Sequence, residues 1–188
     1  MAAKKRKPAK KTAPSKSART KSIASVQPIS TCLWFDGQAE EAARFYASVF
    51  KKGKVTRITR YPNVGQDVHQ QPAGSVMAVE FELNGRPFMG LNGGPLFKFN
   101  EAMSLVILCD TQAEIDYYWE KLNEGGDPSA QACGWLKDKF GVSWQVVPKA
   151  EMALWKDHKS PATERAFAAM MKMKKLDIAK LRAAYKGK

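Results

Sequence analysis

Apolar and polar side chains alternate without a break from Ile29 to Phe35, with Ile29, Thr31, Leu33 and Phe35 on one side and Ser30, Cys32 and Trp34 on the other. A period of two places one face of a strand against a core. Asp36-Gly37 closes this strand, and from Gln38 to Phe50 the spacing lengthens to three and four: Ala39, Ala42, Ala43, Tyr46, Val49 and Phe50 form the apolar stripe of a helix, flanked by Phe45. Glu40 and Glu41 fall in its first turn, where the helix dipole favours acids, and Lys51-Lys52-Gly53 supplies the stop. Val55 to Tyr61 reads as a second strand and Pro62 to Gly74, with His69, as a polar loop. Two further strands, Ser75 to Leu83 and Pro87 to Leu91, are joined by Asn84-Gly85, the dipeptide of a tight hairpin.

The order β-α-β-β-β then recurs. Ala102 to Cys109 is a strand, Asp110-Thr111 caps a helix from Gln112 to Asn123 with Glu114 three residues after Thr111, and Gly125-Gly126 ends it. A short strand near Ser129 to Ala132 precedes the densest stretch of the chain, Cys133 to Pro148, which holds two more. There Val142, Trp144 and Val146 alternate with Ser143, Gln145 and Val147 until Pro148, lacking an N–H, ends the ladder. Residues 29–92 and 102–148 therefore predict two copies of one βαβββ unit. Beyond Pro148, Lys149 to Trp155 suits a helical turn or two, Ser160-Pro161 a helix start, and Ala162 to Met173 and Leu176 to Tyr185 two amphipathic segments whose methionines read as packing surface. The expected organisation is a tail over 1–25, an α+β body over 26–148 and a helical extension over 149–188.

Four ordered pieces carry a resemblance: FDGQAEEAARFY, LNGGPLFKFNEAMSL, CDTQAEIDYYW and CGWLKDKFGVSWQVVP. With them the chain resembles the PhnB-like branch of the vicinal oxygen chelate superfamily, also labelled 3-demethylubiquinone-9 3-methyltransferase-like, over Ile29 to Pro148. The resemblance implies paired modules curled into U-shaped sheets around a pocket, a homodimer, and in many members a divalent metal held by His, Gln and Glu. Asp138-Lys139-Phe140-Gly141 followed by Gln145 is similar to the superfamily's D-x-x-G-x-x-x-E ending, so Gln145 stands where a carboxylate ligand is usual. The other strand positions offer Thr31 or Cys32, Asn92 and Ser104, and His69 and His158 lie outside all four strands. A His and carboxylate ligand set is missing, so no metal and no cofactor are expected.

What remains is a small-molecule pocket in which Gln145, Ser104 and Asn92 supply hydrogen bonds and Phe97, Phe99 and Trp135 supply walls. The competing reading makes the aromatics core and turns Gln145 toward backbone, and the residues alone do not choose. Glu80 and Glu82 share a strand face without an acid–base partner, which suits a solvated face better than a catalytic pair. Asn92-Gly93-Gly94-Pro95 follows a strand but runs into Phe97-Lys98-Phe99 and opens no helix, so it is no nucleotide loop. The function expected is metal-independent binding of a small molecule, with catalysis left open.

Charge adds a second class of function. The formal net charge is +13, but it divides into +9 over residues 1–22, −3 over 23–148 and +7 over 149–188, so the body is not the basic part. The Lys/Ala/Pro segment 1–25 is too poor in apolar residues to fold, and reads either as a solvated tail or as a non-specific nucleic-acid anchor with the body as dimer scaffold. No apolar run reaches bilayer length and the N-terminus has no h-region, which points to a cytoplasmic protein without membrane partners. Three widely spaced cysteines form no zinc or disulfide pattern; Cys32 and Cys109 are expected to be buried and Cys133, beside Gly134, to be the reactive candidate. Any nucleic-acid affinity is predicted to reside in the tail and to be phosphate-only. Deleting residues 1–25 should abolish DNA binding without moving Tm, and the log–log salt slope of the full chain should be no steeper than about −8.

Overall fold

Both halves of the chain obey one hydrogen-bonding rule: the first strand of each unit runs parallel to the last, and the two middle strands complete the sheet antiparallel. The computed structural model describes residues 29–188, and the 1–25 tail lies outside the described residues. In the first half, β1 (Thr31–Phe35), α1 (Ala39–Val49), β2 (Lys54–Arg60), the single turn α2 (Gln66–His69), β3 (Val76–Leu83) and β4 (Arg86–Asn92) form a sheet in the order β1-β4-β3-β2. In the second, β5 (Leu105–Cys109), α3 (Gln112–Asn123), β6 (Asp127–Ala132), β7 (Trp135–Lys137) and β8 (Ser143–Pro148) repeat it as β5-β8-β7-β6. These are the two βαβββ modules that the periodicity predicted. A 3-10 turn (Ala150–Trp155), α4 (Pro161–Met170) and α5 (Ile178–Lys186) follow.

Local chemistry explains most boundaries. Asn84 and Gly85 both take positive φ, 50° and 79°, as a two-residue hairpin turn requires. Gly53 is needed for space, since a Cβ there would lie 2.3 Å from the Ala47 carbonyl oxygen. At α3 the Glu114 N–H donates to Thr111 Oγ1 at 3.2 Å, the cap that the sequence suggested, while the Glu114 carboxylate accepts at 2.7 Å from the Asp110 N–H, one residue before the Thr111 N–H that a capping box uses.

One core joins the halves. Leu33, Phe35, Tyr46, Val79 and Phe81 from the first module meet Ile107, Ile115, Leu122, Trp144 and Val146 from the second. At its centre lies Asp138, 3% exposed. Its carboxylate accepts from Tyr46 Oη at 2.7 Å, Trp144 Nε1 at 2.8 Å, the Phe140 N–H at 2.9 Å and the Val142 N–H at 3.0 Å. Burial pushes this carboxyl up against the four hydrogen bonds that pull it down. Burial also drives the Tyr46 hydroxyl well above its ordinary range, with the Asp138 charge adding to the effect.

Several expectations need correction. The first strand starts at Thr31, opposite Phe88, and Ile29 lies before it with 97% of its surface exposed. Cys32 is exposed, since its place in β1 puts it on the side opposite Leu33 and Phe35. The loop after β2 contains α2, set between left-handed Gly65 and Gln70. The fifth strand begins at Leu105, leaving Ser104 in the loop before it. Helix α4 stops at Met170 instead of running to Met173, because the carbonyls of Met173 and Lys174 accept from the N–H groups of Cys133 and Gly134, at 2.8 Å each.

Trp144→Ala is expected to lower stability by about 3–5 kcal/mol, the range for emptying a buried aromatic site. Tyr46→Phe deletes one hydrogen bond to a carboxylate and should cost about 1.5–3 kcal/mol near neutral pH. The cost narrows in alkali. Unfolded tyrosine ionises near pH 10 while folded Tyr46 keeps its proton, so the folded state binds more protons and the wild type loses stability as pH rises past that point. Urea unfolding at about pH 7 and about pH 10.5 should show the deficit of Tyr46→Phe shrinking at the higher value. A constant deficit would show that Tyr46 ionises normally.

Candidate functional site

Strand β8 serves two environments. Trp144 and Val146 enter the core beneath α3, so by alternation Ser143, Gln145 and Val147 lie on the other face of the sheet. Register places Val106 and Leu108 of β5 beside Gln145 and Val147, and Trp135 and Lys137 of β7 beside Gln145 and Ser143. Val106 and Leu108 are each 54% exposed, which identifies this face as the uncovered one. It carries an apolar strip next to a row of hydrogen-bonding groups.

The loop between β4 and β5 closes one end of the face. Gln145 Nε2 donates to Ser104 Oγ at 2.8 Å, bringing together two residues singled out from the sequence. Trp135 stands beside Gln145 as the cross-strand neighbour. Phe99 packs its ring edge on Phe35, with centroids 5.3 Å apart, and lines a cavity with Ser104 and Ser143. Lys137 forms an ion pair with Glu101 of the loop, and its hydrogen bond holds the Glu101 carboxyl below the usual carboxylate range. Gln145, Ser104, Trp135 and Phe99 thus form one neighbourhood.

Asn92 and Phe97 lie elsewhere. Asn92 is buried, and its Oδ1 accepts from the Ala39 N–H at 2.9 Å while its Nδ2 donates to the Val76 carbonyl at 3.0 Å, so both ends of the amide are engaged within the first module. Helix α1 lacks a side-chain cap of its own, and Asn92 supplies one from across the sheet. Phe97 sits against Trp34 at a centroid distance of 4.9 Å and is half exposed. Glu80 pairs with Arg57 and Glu82 with Lys54, the latter at 3.1 Å, in keeping with a solvated face. His69 Nδ1 accepts from the Gln71 N–H at 3.0 Å, which leaves Nε2 to donate to the Val64 carbonyl at 3.2 Å, and its ring lies on Tyr61: it staples its own loop. Burial pushes the Cys109 thiol up to about 12, while Cys133 Sγ lies 3.7 Å from Met171 Sδ. Sequence reasoning gave no role to Lys137, Glu101 or Ser143. The alternation that placed Gln145 also placed Ser143 on its face, but the partners across β7 need the register to be known.

The family described as 3-demethylubiquinone-9 3-methyltransferase matches residues 27–147. This chain belongs to that family. A PhnB protein from Bacillus cereus is 38% identical over 65% of this chain and 99% of its own, with a TM-score of 0.56. A protein from Pseudomonas aeruginosa, 23% identical over 66% of this chain and 98% of its own, shares the fold with a TM-score of 0.50. The fosfomycin resistance protein FosX from Mesorhizobium loti matches more loosely, at 15% identity and a TM-score of 0.46 over 69% of this chain and 99% of its own. No curated protein is similar to the chain in sequence.

The residues do not fit a divalent metal: the Gln145 amide is engaged with Ser104, Asn92 is turned into α1, and no group of three or more His, Cys, Asp or Glu side chains among the described residues could hold an ion. Nor does the fold offer the open parallel sheet of a nucleotide-type methyltransferase site. Within each sheet only one strand pair is parallel, and the turn after Asn92 leads into a loop and not into a helix. Elemental analysis is expected to find substoichiometric zinc, manganese, nickel and iron. Gln145→Glu should not create tight binding, because one carboxylate leaves the rest of the shell to weak neutral ligands. A stoichiometric ion that disappears in Gln145→Leu would reverse this conclusion.

Proposed function

We propose that this protein binds a small molecule on the uncovered face of the second sheet, without a metal centre, and that it does so as a homodimer. The observation that carries the reading is the Gln145–Ser104 hydrogen bond beside Trp135 on a face whose apolar residues Val106 and Leu108 are left open. Few polar groups set among apolar walls are what small-ligand sites use to fix orientation. Gln145, Ser104, Trp135 and Phe99 are the ligand-contacting residues in this proposal; Asn92 and Phe97 support it indirectly, one by holding α1 and the other by packing on Trp34.

The dimer is proposed for the same face. Half-exposed Val106 and Leu108 leave apolar area that a second copy would remove from water, and covering the face would turn an open sheet into an enclosed site.

A thermal-shift screen of small metabolites tests the first part. A ligand at about a hundred times its Kd stabilises the folded state by about 2.7 kcal/mol, which for a chain of this size raises Tm by roughly 5–10 °C. Gln145→Leu should keep the fold and lose most of that shift; a full shift in the variant would place the ligand elsewhere. Light scattering across a dilution series should give twice the 20.9 kDa chain mass, and Leu108→Glu should halve it. A wild-type monomer throughout would remove the dimer from the proposal.

A further inference from the structure

Ser143 has a property that the Gln145–Ser104 pair does not explain. It is 2% exposed, and its Oγ has no hydrogen-bond partner, alone in this respect among the buried side-chain polar atoms of the described residues. A buried hydroxyl without a partner is costly and calls for an explanation. It lines a cavity of about 150 Å³ under the β4–β5 loop, together with Lys98, Phe99, Asn100, Ser104 and Leu105.

The polar groups around this cavity share one character. Ser104 Oγ accepts from Gln145, which leaves its O–H free to donate. Asn100 Oδ1 is taken by the Ala102 N–H at 3.0 Å, which leaves its amide N–H groups. Lys98 is exposed and forms no ion pair among the described residues. With the Ser143 hydroxyl these make a set of donors and one positive charge, arranged around apolar Phe99 and Leu105. Such a set suits a group that only accepts and carries negative charge. At about 150 Å³ the cavity falls short of the ~300–1,000 Å³ of pockets that enclose a whole drug-sized ligand, so it suits a short acid or a head group.

We infer that this cavity is a subsite for the carboxylate head group of a small aliphatic acid, with Ser143 as its buried donor, Ser104 as a second hydroxyl and Lys98 as the countercharge. The inference rests on the small-molecule reading above and deepens it. The rest of such a ligand would extend toward Gln145 and Trp135 on the open face.

The experiment is an NMR titration of the full-length protein with propionate, propionamide and inorganic phosphate, following the amides of residues 98–105 and 142–145. Propionate should produce saturable shifts there, and propionamide, isosteric but uncharged, should bind at least about tenfold more weakly. Ser143→Ala, too small a change to threaten the fold, should weaken propionate about tenfold, and Lys98→Gln should remove the preference for the acid over the amide. Equal binding of acid and amide, unaltered propionate affinity in Ser143→Ala, or no saturable shift at these amides would overturn the subsite, leaving a cavity that holds ordered water only. Tighter binding of phosphate than of propionate would overturn the assignment to carboxylates. A screening hit that shifts Trp135 and Gln145 but not Ser143 would leave the small-molecule reading intact and sink the subsite alone.

Discussion

A single buried carboxylate holds the two halves of this protein in register. Asp138 receives a phenol from α1 of the first module, an indole from β8 of the second, and two backbone N–H groups from its own turn. Ionised carboxylates are costly to bury, and hydrogen bonds to a charged acceptor are the strongest that side chains offer, so four together offset much of that cost. Each donor is itself in the aromatic core: Tyr46 lies 5.4 Å from Trp144 and 5.8 Å from Phe140, measured between ring centroids. Removing the charge would loosen the contact between modules as well as the turn.

The candidate site inherits its geometry from this anchor. With the Trp144 indole tied to Asp138, β8 cannot slip by one residue, because a slip would turn Trp144 out and bring Gln145 in. Ser143 and Gln145 are therefore fixed on the open face by a bond made on the closed one. The hydrogen bond to Ser104 then draws the loop between modules over the end of the sheet, and the Lys137–Glu101 ion pair adds a second tie from the same loop. The enclosure of the cavity follows from these two contacts, both of them formed by residues remote in sequence.

Signals confined to neighbouring residues were legible before the structure. The alternation around Trp144, the Asn84-Gly85 turn and the Thr111–Glu114 cap each depend on spacings of two to four residues, and each appears where expected. The repeated order of elements also gave the architecture, since topology survives when side chains diverge. What was not legible depends on contacts across the sheet. Asn92 read as a ligand-facing amide because nothing nearby in sequence shows that α1 lacks a cap, and the partner that uses it, Ala39, is more than fifty positions away. Cys32 read as buried because a run of apolar neighbours does not say which of two faces is covered. Ser143 was placed on the face of Gln145 but given no role, because an unsatisfied hydroxyl is defined by what surrounds it.

The capping of the two crossover helices shows how far the modules have moved apart. Asn92 and Pro148 occupy the same place in their units, the last paired residue of the parallel strands, opposite Phe35 and Cys109. In the first module that position reaches over to start the helix; in the second it is a proline, which has no group to offer, and the helix is started by Thr111 beside it. A chimera made of two first halves would keep a cap at both helices but would lack Asp138 at the centre, while one made of two second halves would lack the Tyr46 hydroxyl that meets that carboxylate. Symmetric in its path, the chain depends on the differences between its halves.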